Sequence, residues 1–207
     1  HRDLHSFPTR RSSDLYVTDG DEMIRTQAVA LLATFTEPEA VPLLAAALAD
    51  DQQDIRARAA SALYANHDPL ELAKAPALGK ALRISLNKGN DAAAAILLAG
   101  YFPGKGMVKA LRDLEARSQD ASTELTSWSP PVPVKLAAAV SLSRFGEQSA
   151  RMHLMERAAS GTSAEREFLL SVMREIDAPE VLHALAATLD DTTAISSGVP
   201  SGAAPQR

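Results

Sequence analysis

The feature that most constrains this chain is that it repeats itself. Ile24-Arg25 is followed by Ala28, Val29 and Leu32, and 31 residues later Ile55-Arg56 is followed by Ala59, Ala60 and Leu63. An aliphatic residue, a base, small apolar residues four and five positions on and Leu at eight place the apolar side chains along one helix face. The pattern returns weakly at Asn90, with Ala94, Ala95 and Leu98, and clearly at Val134-Lys135, with Ala138, Ala139 and Leu142. A last copy starts at Glu165-Arg166, with Leu169, Leu170 and Met173, so the spacings are 31, 35, 44 and 31. A period of this length marks a unit that cannot bury its apolar face alone and must stack on its neighbours.

A second helix is expected after each first one. Pro38-Glu39-Ala40-Val41-Pro42-Leu43-Leu44 opens one, and Pro179-Glu180-Val181-Leu182-His183-Ala184-Leu185 opens another. Pro38 and Pro179 are 141 residues apart, the total of the four spacings, so the register of the first helices carries over to the second. Proline suits a first helical turn because its missing N–H has no intrahelical partner there in any case. Asp68-Pro69, Gly104-Lys105-Gly106 and Gly146-Glu147 mark the second helices of the intervening repeats.

Composition agrees with an all-α fold. Alanine and leucine are abundant, aromatics are 4% of the chain, and β-branched residues are scattered. Alanine and leucine lose little side-chain freedom in a helix. Cysteine is absent, which excludes disulfides, thiolate metal sites and cysteine nucleophiles. No run of apolar residues reaches the roughly 18 that a membrane-spanning helix requires. The net charge of −5 argues against nucleic-acid partners, which call for clustered Lys and Arg.

The run from Pro38 through Leu48 to Asp50-Asp51, followed by Ile55-Arg56 and Ala59-Ala60-Ser61-Ala62-Leu63, resembles a HEAT repeat. In particular it resembles the short version also found in bilin-lyase-like proteins. The resemblance is strong over residues 22–66, fair over 133–190 and weak over 67–117. It implies a right-handed α-α superhelix of about five helix pairs, with first helices outside and second helices on the concave side. The repeats are expected at about 21–51, 52–88, 89–117, 133–161 and 162–190, within a domain spanning 16–190. The resemblance also implies an inter-repeat polar ladder of Asp50 or Asp51 with Arg56, broken at the third repeat, where Asp91 replaces the base. No catalytic, cofactor-binding or metal-ligating residue follows from it.

Residues 1–15 resemble the translation of a sequencing adapter and are expected to be unstructured, with the native start lying elsewhere. Without that segment's two acidic and three basic residues the net charge is −6. Residues 191–207 lack apolar periodicity and read as a disordered tail.

The 44-residue spacing contains an insertion at 118–132 that carries the sole tryptophan, Trp128, with Pro130 and Pro131. Two readings stand. The prolines favour an extended conformation suited to capture by a partner, or Trp128 folds back to cover the gap between irregular repeats, which suits a residue that is usually largely buried. His153 and His183 fall on second helices of adjacent repeats, with Glu156 near the first. Together they make the sharpest metal or acid–base idea in the chain, weighed against the commoner role of isolated helical histidines as surface or packing residues. Pro103-Gly104-Lys105-Gly106 lacks the strand and the Ser/Thr of a phosphate loop and reads as a turn. The expected function is a protein or peptide interaction module, or scaffold, using the concave helix face, without catalysis, cofactor or metal. The alternative is a bilin-lyase-like protein acting on tetrapyrrole attachment.

Overall fold

The computed structural model describes residues 16–118, 122–123, 131–176 and 178–196. Their helices pair as the repeat predicts. The first pair is α1 (Glu22–Leu32) and α2 (Ala40–Ala47); the second is α3 (Gln53–Asn66) and α5 (Pro76–Asn87), with the single-turn α4 (Pro69–Leu72) between them. Then come α6 (Ala93–Ala99) with α7 (Lys105–Arg117), α8 (Val134–Arg144) with α9 (Gln148–Ser160), and α10 (Ser163–Ser171) with α11 (Pro179–Ser196). The α10–α11 connection contains a 3-10 turn, Met173–Glu175. Helix α11 continues to Ser196, past the boundary at 190 expected for the last repeat, so 191–196 are helical.

Helix ends follow local chemistry. Asp21 accepts a hydrogen bond from the Met23 amide at 2.8 Å to cap α1, and Asp68 accepts one from the Leu70 amide at 3.0 Å to cap α4. Thr162-Ser163-Ala164-Glu165 forms a capping box on α10: the Glu165 carboxylate accepts from the Thr162 amide, and the Thr162 hydroxyl accepts from the Glu165 amide. Gly146, at φ +79°, turns the chain between α8 and α9 through the left-handed region open to glycine. The second helix of repeat two begins at Pro76 rather than at Pro69. Pro76 lacks an amide hydrogen and biases Ala75 (φ −102°, ψ 92°) out of the helical region, which splits the segment in two.

The helices form two layers. In the first, α1 packs on α3, α3 on α6 and α6 on α8; in the second, α2 packs on α5, α5 on α7, and α9 on α11. The core runs unbroken between the layers, through Leu44, Ile55, Leu63, Leu82, Leu98 and Leu111, all essentially inaccessible to solvent. Each such leucine contributes about 1.5–3 kcal/mol by leaving water. The central first helices are buried on every side: all of Ala93–Ala99, and every residue of α8 from Leu136 to Ser143. Their alanines allow this close approach. Ser141 of α8 donates to the Ile96 carbonyl of α6 at 2.6 Å, and a Cβ on Gly100 would lie 3.0 Å from the Ser141 hydroxyl. Between repeats three and four, β1 (Ser122–Thr123) pairs antiparallel with β2 (Val132–Pro133), a minimal ladder that the all-helical reading did not include.

The polar ladder takes a different form from the one expected. The Asp50 carboxylate does not pair with Arg56; it pairs with Arg25, at 2.7 Å to Nε and 3.3 Å to Nη2. Asp51 pairs instead with Lys88 at 2.6 Å. Arg56 donates to the backbone carbonyls of Asp50 (2.9 Å) and Asp51 (2.7 Å), and across the repeat to that of Lys88 (2.9 Å). Arg25 makes the same contacts one repeat earlier, to the carbonyls of Asp19 and Gly20. Arg166 repeats the motif once more, donating to the Gly161 carbonyl at 2.8 Å. The recurrent base is thus a staple for the loop that ends the preceding unit, because a guanidinium can satisfy several otherwise orphaned carbonyls at once. In repeat three Asp91 accepts from Gln53 at 2.9 Å, and no base occupies the position. Replacing Arg56 with methionine keeps the packing of the stem and strands three carbonyls. We expect a loss of about 2 kcal/mol, read as a fall in Tm of about 4–8 °C by circular dichroism. Lys74→Ala, which removes an exposed pair with Glu71, is expected to shift stability by less than about 0.5 kcal/mol.

Candidate functional site

Of the residues singled out from the sequence, Trp128 and Pro130 lie outside the described residues, as do residues 1–15. Pro131 is exposed immediately before β2. His153 lies half-buried on α9, and His183 is exposed on the adjacent α11. Burial holds the His153 imidazole below the ordinary histidine range, and the nearby Lys135 and Arg157 charges add to the effect. Glu156 stands 3.9 Å from His153 Nδ1, but its carboxylate is engaged by Arg157 at 2.6 Å. Among the described residues, no three His, Asp or Glu side chains converge as metal ligands. What α9 does present is apolar: Met152 is 64% and Met155 40% exposed, three positions apart on the helix surface.

The structure also assembles a cluster that sequence reasoning missed. Glu175, in the 3-10 turn, is 1% exposed. Its carboxylate accepts hydrogen bonds from the hydroxyls of Tyr101, at the end of α6, and Tyr64 on α3, the latter at 3.4 Å. Arg174 donates from Nε at 3.2 Å, and Arg144 at the end of α8 approaches the carboxylate at 3.5 Å while donating to the Glu175 carbonyl at 3.2 Å. The Arg144 guanidinium lies 3.8 Å above the Tyr101 ring, a cation–π contact. Burial, with the Glu175 charge beside it, pushes the Tyr64 phenol up to about 12. Burial and the hydrogen bond to Glu175 push Tyr101 in the same direction. Both phenols therefore stay protonated near neutrality and act as donors. Three first helices and the last inter-helix turn are tied together at this point. A single acidic residue among ordinary surface-type side chains gave no sign of this in the sequence, since its partners lie 74 and 111 residues away.

Above the cluster runs a trough. One part, of about 460 Å³, is lined by Leu70, Tyr101, Arg144, Phe145, Arg174 and Ile176. The other, of about 560 Å³, is lined by Lys80, Arg83, Phe102 and Gly106 among others. Ala73, Tyr101 and Pro103 line both, so the two parts adjoin. Of the Pro103-Gly104-Lys105-Gly106 segment read as a turn, Pro103-Gly104 links α6 to α7 and Lys105-Gly106 opens α7; Pro103, Gly104 and Gly106 form part of this wall.

Residues 13–64 match the family model for HEAT repeats. No curated protein and no solved structure matches the chain. The matched stretch covers the first pair and α3, the helices whose arginines staple the repeats, and the later pairs extend the same two layers. Over residues 13–64 the chain carries HEAT repeats.

Proposed function

We propose that this protein is an interaction module or scaffold, without catalysis of its own, that engages a protein partner through its second-helix layer. The supporting observation is the apolar face of α9. Met152 and Met155 remain in water although the helix packs against both α8 and α11. Exposed methionines flanked by polar side chains suit adaptable contacts, since the unbranched thioether fills irregular surfaces. His153 and His183, on neighbouring helices, and Pro131 with the insertion at 118–132 are proposed to contribute to the same partner site. No described helix is long and apolar enough to cross a membrane.

The test is comparative capture from the source cell with the immobilised full chain and with a Met152→Asp/Met155→Asp variant. A discrete set of proteins retained by the wild type and lost in the variant, with its Tm unchanged, is the expected result. Identical retention by both overturns the assignment of the face. The bilin-lyase-like alternative rests only on the repeat subtype. It predicts binding of a free linear tetrapyrrole, seen as a shift in its visible absorption.

A further inference from the structure

The trough over Tyr101 has a charge pattern unlike that of the chain as a whole. Four cations line it, Lys80, Arg83, Arg144 and Arg174, and no carboxylate appears among the described residues that line it. Glu175, buried beneath, is already satisfied by two phenols and two guanidiniums, and Glu71, next to Leu70 on α4, is paired with Lys74. Lys80 and Arg83 are exposed on α5, and the Arg174 side chain is 74% exposed although it touches Glu175. In a protein of net charge −5, this concentration of positive charge in one groove stands out.

The groove is also preorganised. Arg144 is held on the Tyr101 ring and by the Glu175 carbonyl, so its guanidinium loses little freedom on meeting an anion. Apolar groups interrupt the charges: Leu70 is 61% exposed at the rim, with Phe145 and Ile176 in the wall. We infer that the trough binds an extended acidic peptide segment, its carboxylates on Arg174, Arg144, Lys80 and Arg83 and an apolar side chain against Leu70. Guanidinium–carboxylate pairs supply direction, and the apolar rim supplies contact area. A nucleic acid fits less well. Arg144 occupies one face of Tyr101 that a base would stack on, and the acidic remainder of the surface repels a long polyanion.

This inference deepens the interaction-module reading by adding a second surface, away from Met152 and Met155. Short random-sequence peptides displayed on phage are selected against the full chain. The expected result is enrichment of Asp and Glu in the selected sequences relative to the library. A synthetic peptide from the selection should bind about tenfold more weakly to Arg174→Glu and to Lys80→Glu/Arg83→Glu. Lys109→Glu, on α7 outside the lining, should leave binding unchanged. Lys80, Arg83 and Lys109 lie outside the Glu175 cluster, so unchanged melting curves certify the fold of those variants; Arg174 touches Glu175, and if Arg174→Glu melts lower, Lys80→Glu/Arg83→Glu decides. Failure to select peptides, absence of acidic enrichment, or binding indifferent to the trough variants overturns the inference. So does displacement of the peptide by a mixed-sequence single-stranded oligonucleotide at lower concentration. A partner captured through Met152 and Met155 alongside any of these failures leaves the module reading standing and removes only the trough.

Discussion

Leu97→Lys is expected to abolish cooperative folding, while Leu31→Lys, at the equivalent position of the first repeat, is expected to leave the melting transition nearly unchanged. The repeat spacing puts Leu31, Ala62, Leu97, Ser141 and Val172 in register. Their exposures are 54%, 5%, 1%, 0% and 0%. The residue type at Leu31 and Leu97 is the same; the surroundings are not. Helix α6 is flanked by α3 on one side and α8 on the other, whereas α1 meets only α3 in its layer among the described helices. Truncating a buried leucine to alanine costs about 2–5 kcal/mol. Lysine at the same place adds the cost of an unpaired ammonium in an apolar site, and the total rivals the roughly 5–15 kcal/mol that holds a domain together. At Leu31 the change falls within about 0.5 kcal/mol, as for most exposed positions. Circular dichroism melts of the two variants decide the matter, and equal behaviour of the pair contradicts the burial assigned to α6.

Glu175→Ala is expected to cost about 3–5 kcal/mol, more than any removal of an exposed charge. The variant strands Arg144, whose side chain is 21% exposed, and leaves the phenols of Tyr64 and Tyr101 without their acceptor. Each buried donor left unmade carries its own desolvation penalty of about 1–3 kcal/mol. Glu175→Gln retains the volume and one acceptor and should recover part of the loss. Tyr101→Phe removes one bond and the donor together and should cost about 1–2 kcal/mol. Urea unfolding of the three variants gives the order: Ala worst, Gln intermediate, Phe mildest. A Glu175→Ala protein as stable as the wild type shows that the cluster does not tie the layers together.

Much of the architecture was legible in the chain because the repeat is written in short-range periodicity. Aliphatic positions at four, five and eight residues define a helix face, and prolines and Asp68 mark turns by local sterics and capping that need no distant partner. The arginine after the aliphatic residue was legible as a recurrent element, but its acceptors were not. Asp50 and Asp51 suggested a carboxylate for Arg56; in the fold the carboxylates go to Arg25 and Lys88, and Arg56 takes carbonyls. A sequence shows which side chains carry charge and does not show which loop ends need donors. The break at Pro76 and the pairing of β1 with β2 depend on a few residues of local geometry that repeat-level patterning averages out.

By itself the sequence determined that this protein is a stack of helix pairs and which face of each helix is apolar. All of that follows from interactions within a few residues along the chain. Only the tertiary structure decided that α6 and α8 are buried on every side while α1 is not, since burial depends on how many neighbours flank a helix and not on its own residues. Only the tertiary structure, too, brought Glu175 to Tyr64, Tyr101 and Arg144 and set Lys80 and Arg83 along the same trough as Arg174. Those groups come from separate repeats, and their meeting is fixed by the angle at which successive pairs pack, a property that no single repeat encodes.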